Sequence, residues 1–197
     1  MVTIGRAEGV AARGVVDRAH GGADTSLKHL LEQGARRVLV LQTVERYTVA
    51  GAAERYLQQN PHAGHMETQV LHIPVADGVS GGYRATREAL QSPSPPDAIY
   101  APIDAFALGA VDAVRQAGLQ IPTDVMICTN FDGPRATTSE PPLTALDLHL
   151  PEMAETAGQL LLDCLDNPGG QPRVVQAPEP TLRPRESTAR RTERVLP

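Results

Sequence analysis

Tryptophan is absent from these 197 residues, and aromatic side chains make up only 3% of the chain, four Tyr and two Phe. Any ligand-stacking surface must therefore come from these six rings. Cysteine is nearly absent as well: Cys128 and Cys164 both sit inside apolar patterns and read as small buried hydrophobes. With no disulfide framework, a reducing cytoplasm is the expected location. No apolar run approaches the ~18 residues needed to span a bilayer, and the N-terminus lacks the charged-then-apolar layout of a secretion signal, so no membrane partner is expected. Positive charge is in deficit, 18 Lys and Arg against 23 Asp and Glu for a net charge of −5. That balance argues against a surface that attracts phosphates as a whole.

The usual catalytic signatures are missing too. "GGADTS" (21–26) lacks the Lys and the spacing of a phosphate-binding loop. No Ser or Cys stands in a G-x-S-x-G elbow. His62 and His65 are three apart in a Pro- and Gly-containing loop, with no matched carboxylate or Cys cluster. The expectation is a non-enzymatic protein, with no catalytic residues, no metal and no cofactor.

What is present is an alternation of two periods. Asp24 or Thr25 can cap a short helix whose Leu27, Leu30 and Leu31 share one face, and Gly34 stops it. "RVLVL" (37–41) follows as a continuous apolar run of the kind buried on both faces. Val49, Ala52, Ala53, Tyr56 and Leu57 recur at helical spacing until Asn60-Pro61. "TQVLHIPV" (68–75) reads as a strand, and Val79, Tyr83, Thr86 and Leu90 as the next helical stripe. "DAIYAP" (97–102), a helix from about Asp104 and "VMICT" (125–129) complete the series. Strands starting near 37, 68, 98 and 125, each separated by a helix, predict βαβ units, a parallel sheet and helices on both of its faces.

After Asp132 the pattern changes. "GPRATTSEPP" is a polar loop, "LTALDLHL" (143–150) alternates, and Met153, Ala157, Leu160, Leu161, Cys164 and Leu165 form an apolar helical stripe. "NPGG" (167–170) breaks it, and short extended pieces at 173–176 and 180–183 precede an Arg-rich tail. The opening "MVTIG" and "GVVD" (14–17) also read as strands outside the four-strand repeat, as parts of a second sheet.

"PDAIYAPIDAFALGAVDAVRQAGLQIPTDVMIC" (96–128) resembles a stretch of LacI/GalR-family bacterial regulators that ends in a strand and a G-[FY]-D-D turn. "EPPLTALDLHLPEMAETAGQLLLDCL" is similar to their P-P-L-T-T segment and following helix, "LRPRESTA" to their terminal R-x-S-T, and "VVD…LKHLLEQGARRVLVL" to their V-D-N-D…H-L segment. Together these cover nearly the whole chain in the family's order. The resemblance implies an α/β fold of periplasmic-binding-protein-like type I, with one complete parallel-sheet subdomain plus part of a second. On that basis 20–142 is the complete C-terminal-type subdomain with its crossover, 1–19 and 143–184 are a partial N-terminal-type subdomain, and 185–197 is a disordered tail. It further implies that two lobes joined by three crossings hold a small polar, sugar-like effector between them, in a homodimer. DNA would be reached only through a helix-turn-helix headpiece that this chain lacks, so a truncated product is expected. A stand-alone solute-binding protein and a non-functional fragment are the alternatives.

The resemblance also nominates site residues. Asp132 matches the first acid of G-[FY]-D-D, placed to accept hydrogen bonds from ligand hydroxyls or amines, or else to cap the turn at Gly133-Pro134. Phe131 would stack on an apolar ligand face or simply pack. Asp104 matches the acid of the family's N-D pair, although Ile103 replaces the Asn, and it is equally placed as a helix N-cap. Arg46 and Tyr47 lie where relatives place a ligand-binding Arg, the matching position itself being Thr48. Asp77 falls where relatives offer an aromatic. Arg6 and Asp17 fall in loops near the cleft. Finally, the helix from 104 to 118 is apolar over most of its circumference, so Leu108, Val111 and Val114 are expected at a dimer interface, or else beneath a neighbouring helix.

Overall fold

The computed structural model describes residues 1–5, 11–17, 22–44, 56 and 66–189. In chain order the elements are β1 (Val2–Ile4), β2 (Gly14–Asp17), α1 (Gly22–Glu32), β3 (Arg37–Thr43), β4 (Glu67–Ile73), α2 (Gly78–Leu90), β5 (Ala98–Ala101), α3 (Asp104–Gln116), β6 (Met126–Thr129), α4 (Pro134–Thr138), β7 (Thr144–Asp147), α5 (Leu150–Asp166), β8 (Arg173–Gln176) and β9 (Thr181–Arg183). The expected strands at 37, 68, 98 and 125 are β3 to β6. They lie in a six-stranded sheet of order β4-β3-β5-β6-β7-β9, parallel throughout except for β9.

The central strands β3, β5 and β6 are apolar on both faces because the sheet is covered on both. Leu39, Leu41, Ile99 and Ile127 pack with Phe106, Val111 and Val114 of α3 and Ala89 of α2. The alternate positions Val38, Val40, Tyr100 and Cys128 pack with Leu27 and Leu30 of α1. Each fully buried aliphatic side chain of this kind stabilises the fold by about 1.5–3 kcal/mol. Gly34, which ends α1, has φ +91°, a left-handed conformation that Gly adopts without a Cβ penalty.

Helices α2 and α3 approach so closely that their contact is made by glycine. A Cβ on Gly82 would press into the backbone of Phe106, and one on Gly109 into the backbone of Val79 and Tyr83. The buried stripe of α2 is accordingly Gly81, Gly82, Thr86 and Ala89, and Val79 is exposed. This corrects the stripe expected from side-chain hydrophobicity: the helix turns its smallest residues inward. It also corrects the dimer assignment, since Val111 and Val114 are 3% and 0% exposed within this single chain. Beneath α2 and against the sheet they cannot reach a second subunit, and Leu108 alone of the three is half-buried.

The second sheet has three parallel strands in the order β1-β2-β8. Helix α5 lies on it, with Met153 and Leu160 buried against Val16 and Val2. Arg13 caps the end of α5, its guanidinium donating to Cys164 O, Asn167 O and Gly170 O at 3.4, 2.8 and 3.2 Å. The boundary expected at residue 143 is corrected: β7 and β9 join the six-stranded sheet, so that only α5 and β8 of the later chain belong to the small one. The expected disorder from residue 185 is corrected too. Residues 186–188 form a 3-10 turn whose Ser187 and Thr188 are 0% and 1% exposed.

Consecutive elements change from one sheet to the other three times, between Asp17 and Gly22, between Asp147 and Leu150, and between Gln176 and Thr181. In the second passage His149 takes a left-handed conformation, φ 51°, a strain on the order of 1 kcal/mol for a residue with a Cβ. Its Nε2 lies 2.9 Å from Thr181 Oγ1 in the third passage. Beside it Arg183 Nη2 donates to Asp147 Oδ2 at 2.9 Å. Among the described residues no helix is long and apolar enough to cross a membrane.

Candidate functional site

In an open parallel sheet, ligands meet the chain beyond the C-terminal strand ends, near the point where the strand order reverses. Here β4 lies to one side of β3 and β5 to the other, so the reversal falls between β3 and β5. The segments leaving these two strands are 44 onward and 102–104. The first carries Arg46 and Tyr47, which lie outside the described residues, as do Arg6, His62 and His65. The second carries Asp104.

Asp104 is the first residue of α3, and the N-cap position belongs to Ile103, in an extended conformation without a side-chain cap. The expected capping role is therefore displaced by one residue. The Asp104 carboxylate accepts from the Ala105 N–H at 2.7 Å and from Arg135 Nη1 of α4 at 3.3 Å.

One strand further, Asp132 follows the tip of β6. Its N–H donates to Leu146 O at 2.9 Å, fixing the turn to β7. Its Oδ1 accepts from Arg185 Nη2 at 2.6 Å, with the side chains 17% and 21% exposed. Arg185 is itself held, its Nη1 donating to Leu143 O at 2.8 Å and its backbone N–H to Thr144 Oγ1 at 2.8 Å. Phe131 is half-buried with its ring folded over Gly133, where a Cβ would strike it.

Asp77 ends a 3-10 turn (Val75–Asp77) just past the tip of β4 and accepts from Arg84 Nη2 at 2.6 Å. Asp17 is the last residue of β2, 7% exposed, at the corresponding tip of the small sheet, and its carbonyl accepts from the Ala177 N–H at 2.7 Å. The structure thus brings Asp77, Asp104, Phe131 and Asp132 to one edge of the large sheet, and Asp17 to the C-terminal edge of the small one.

The electrostatics differ from a ring of bare carboxylates. Asp77, Asp104, Asp132 and Asp147 each face an arginine: Arg84, Arg135, Arg185 and Arg183. Asp147 has its carboxyl held below the usual range, first by the His149 N–H and then by Arg183. Arg135 and Arg185 were not among the residues expected here. The signal for Arg185 was legible, because "RES T" without its gap, Arg185 to Thr188, is the R-x-S-T match itself. Arg135 sits in a polar loop where nothing in the pattern marks it.

The chemistry available is hydrogen bonding and charge pairing. Cys128 is fully buried and its thiol is pushed up to about 12 by burial, which leaves no thiolate for nucleophilic work. Among the described residues no group of three His, Cys, Asp or Glu could hold a metal ion.

Two sheets, parallel but for β9, with three changes of the chain from one to the other define the class. Residues 27–188 match the family described as periplasmic binding protein-like domain, and the chain belongs to it, as an effector-binding domain of the LacI type. The chain is similar to the HTH-type transcriptional repressor PurR of Escherichia coli, 30% identical over 182 residues, 89% of this chain and 51% of PurR. It therefore spans about half the length of the curated relatives it matches. It is similar in structure to the transcriptional regulator CelR in complex with cellobiose, at 29% identity and TM-score 0.80, covering 94% of this chain and 58% of that one. A LacI transcriptional regulator from a Rhodococcus species shares the fold at TM-score 0.83 and 22% identity, covering 94% of this chain and 68% of its own.

Proposed function

We propose that this chain senses a small polar, sugar-like effector held in a cleft between the two lobes, at the C-terminal strand tips of its two sheets. Asp132, Asp104 and Phe131 from the large sheet would meet the ligand, with Asp17 from the small sheet, Asp77 at the rim, and Arg6, Arg46 and Tyr47 from the adjoining loops. Carboxylates already paired with arginines present both acceptors and donors, which suits a ligand rich in hydroxyls. The observation that carries this reading is the likeness to the CelR–cellobiose complex over 94% of the chain. In this reading the protein is cytoplasmic and homodimeric, works without catalysis, and acts on operator DNA through a helix-turn-helix headpiece that lies outside these 197 residues.

The test is thermal unfolding with and without cellobiose, repeated with Asp132→Asn. Ligand at 100 times Kd adds about 2.7 kcal/mol to the stability of a protein that binds it only when folded. The expected result is a Tm rise of several degrees that shrinks in the variant, with at least a tenfold weaker Kd by calorimetry. An unchanged Tm with cellobiose and with other mono- and disaccharides at 10 mM (about 10⁴ times a micromolar Kd) sinks the proposal.

A further inference from the structure

Beneath the first turn of α1, at the tips of β5 and β6, lies a polar cluster that the site described above does not use. Ser26, Tyr100 and Cys128 are each 0% exposed. Tyr100 Oη donates to Asn130 Oδ1 at 2.8 Å, and Ser26 Oγ lies 3.5 Å from the same oxygen. Burial pushes the Tyr100 phenol far above its usual range, so the hydroxyl keeps its proton and requires an acceptor. The Asn130 carboxamide oxygen is that acceptor.

An amide whose oxygen is committed in this way cannot rotate, and its nitrogen must point the other way. Nδ2 is the atom of Asn130 nearest to Gly22: a Cβ built there would stand 3.5 Å from it. Gly22 is the first residue of α1, the element that follows β2 of the small sheet in the chain. Among the described residues no acceptor takes the Nδ2 hydrogens, although Asn130 is half-buried and two residues from Asp132.

We propose that Asn130 is a specificity-determining residue of the effector site, an N–H donor that buried Tyr100 locks toward the start of α1, where it meets a hydroxyl or ring oxygen of the ligand. This rests on the effector reading above and adds to it a donor in fixed orientation beside an acceptor, Asp132. A site that hydrogen-bonds a substrate oxygen rejects analogues that misplace it far more strongly than an apolar pocket does. Tyr100 acts as a positioning residue, through Asn130.

The test uses Asn130→Asp, which keeps the shape and the acceptor for Tyr100 and Ser26 but replaces the free donor by an acceptor. Calorimetric titration of the 197-residue protein with cellobiose and with lactose, disaccharides that differ at a single hydroxyl configuration, gives the readout. The expected result is at least a tenfold loss of affinity in Asn130→Asp for whichever sugar the parent protein binds. Tyr100→Phe, which unlocks the amide while keeping the ring, should lose about threefold and narrow the ratio between the two sugars. A purely structural role would lower Tm in both variants and leave both Kd values in place. Parent-like affinity in a folded Asn130→Asp overturns the inference and leaves the effector reading standing. Should Asn130→Asp fail to fold, an unchanged affinity and sugar ratio in Tyr100→Phe overturns it equally. Absence of binding by the parent protein to either sugar removes the sugar reading, and this inference with it.

Discussion

At the scale of single residues, His29 shows how burial alone creates a pH dependence. It is 9% exposed on the inner side of α1, and its Nε2 lies 2.8 Å from Thr188 Oγ1. Desolvation holds its imidazole below the ordinary value of 6.5, against a smaller opposing pull from Glu32. A group whose pKa is lower folded than unfolded takes up its proton first in the unfolded chain, so the stability present above pH 6.5 drains away as pH falls through the folded value. The expected outcome is a Tm that drops between pH 6.5 and pH 5. The drop should be smaller in His29→Gln, which can still bond Thr188 but has nothing to protonate. Scanning both proteins across that range by calorimetry checks it, and parallel curves would refute it. No pattern in the sequence distinguishes this histidine from an exposed one. His29 stands beside the apolar Leu27-Leu30 pair, and only the arrival of Thr188 from 159 positions away buries it.

At the scale of elements, the α2–α3 contact is set by two glycines that hydrophobic periodicity passes over. Reading Val79, Tyr83, Thr86 and Leu90 as the inner stripe places the helix about one residue out of rotation, because a pattern of large apolar residues says nothing about backbone approaching backbone. The strands of the large sheet were legible for the opposite reason: "RVLVL", "DAIYAP" and "VMICT" are apolar on both alternations, and only a sheet covered twice can hold them. Gly109→Ala is expected to destabilise the protein by about 3 kcal/mol, since the added methyl meets main chain that must move as a unit. Urea unfolding measures it. A cost under about 1 kcal/mol, the ordinary range of an exposed helical substitution, would show that the helices stand further apart. The same packing explains why α3 is apolar nearly all round: its second apolar side is spent on α2.

At the scale of the whole molecule, the segment after β9 behaves as part of the large sheet's core. Ser187 Oγ donates to Ile127 O at 2.6 Å and accepts the Thr144 N–H at 2.8 Å, so one hydroxyl joins β6, β7 and the C-terminal turn. Thr144 Oγ1 bonds Thr188 Oγ1 at 2.7 Å and thereby reaches His29 on α1. Ser187→Ala strands a buried donor and a buried acceptor and is expected to cost about 1–3 kcal/mol. Denaturant titration reads that loss, and a shift in midpoint with an unchanged slope would identify it as stability alone. An arginine-rich stretch near a chain end reads as solvated, so composition alone points to a tail. Ser187 and Thr188 are short polar residues whose side-chain partners lie 43 to 159 positions away, and local composition carries no trace of them. The two acids at the strand tips, Asp104 and Asp132, were legible as positions. Their arginine partners come from α4 and from beyond β9, elements whose placement depends on the finished fold.

The second and third passages between the sheets are tied side by side through His149 to Thr181, and Asp147 and Arg183 join the strand ends next to them. Two straps fastened together in this way resist being sheared past one another and yield more readily to bending in common. Any turning of one sheet against the other therefore has to carry both straps along or break the His149–Thr181 contact.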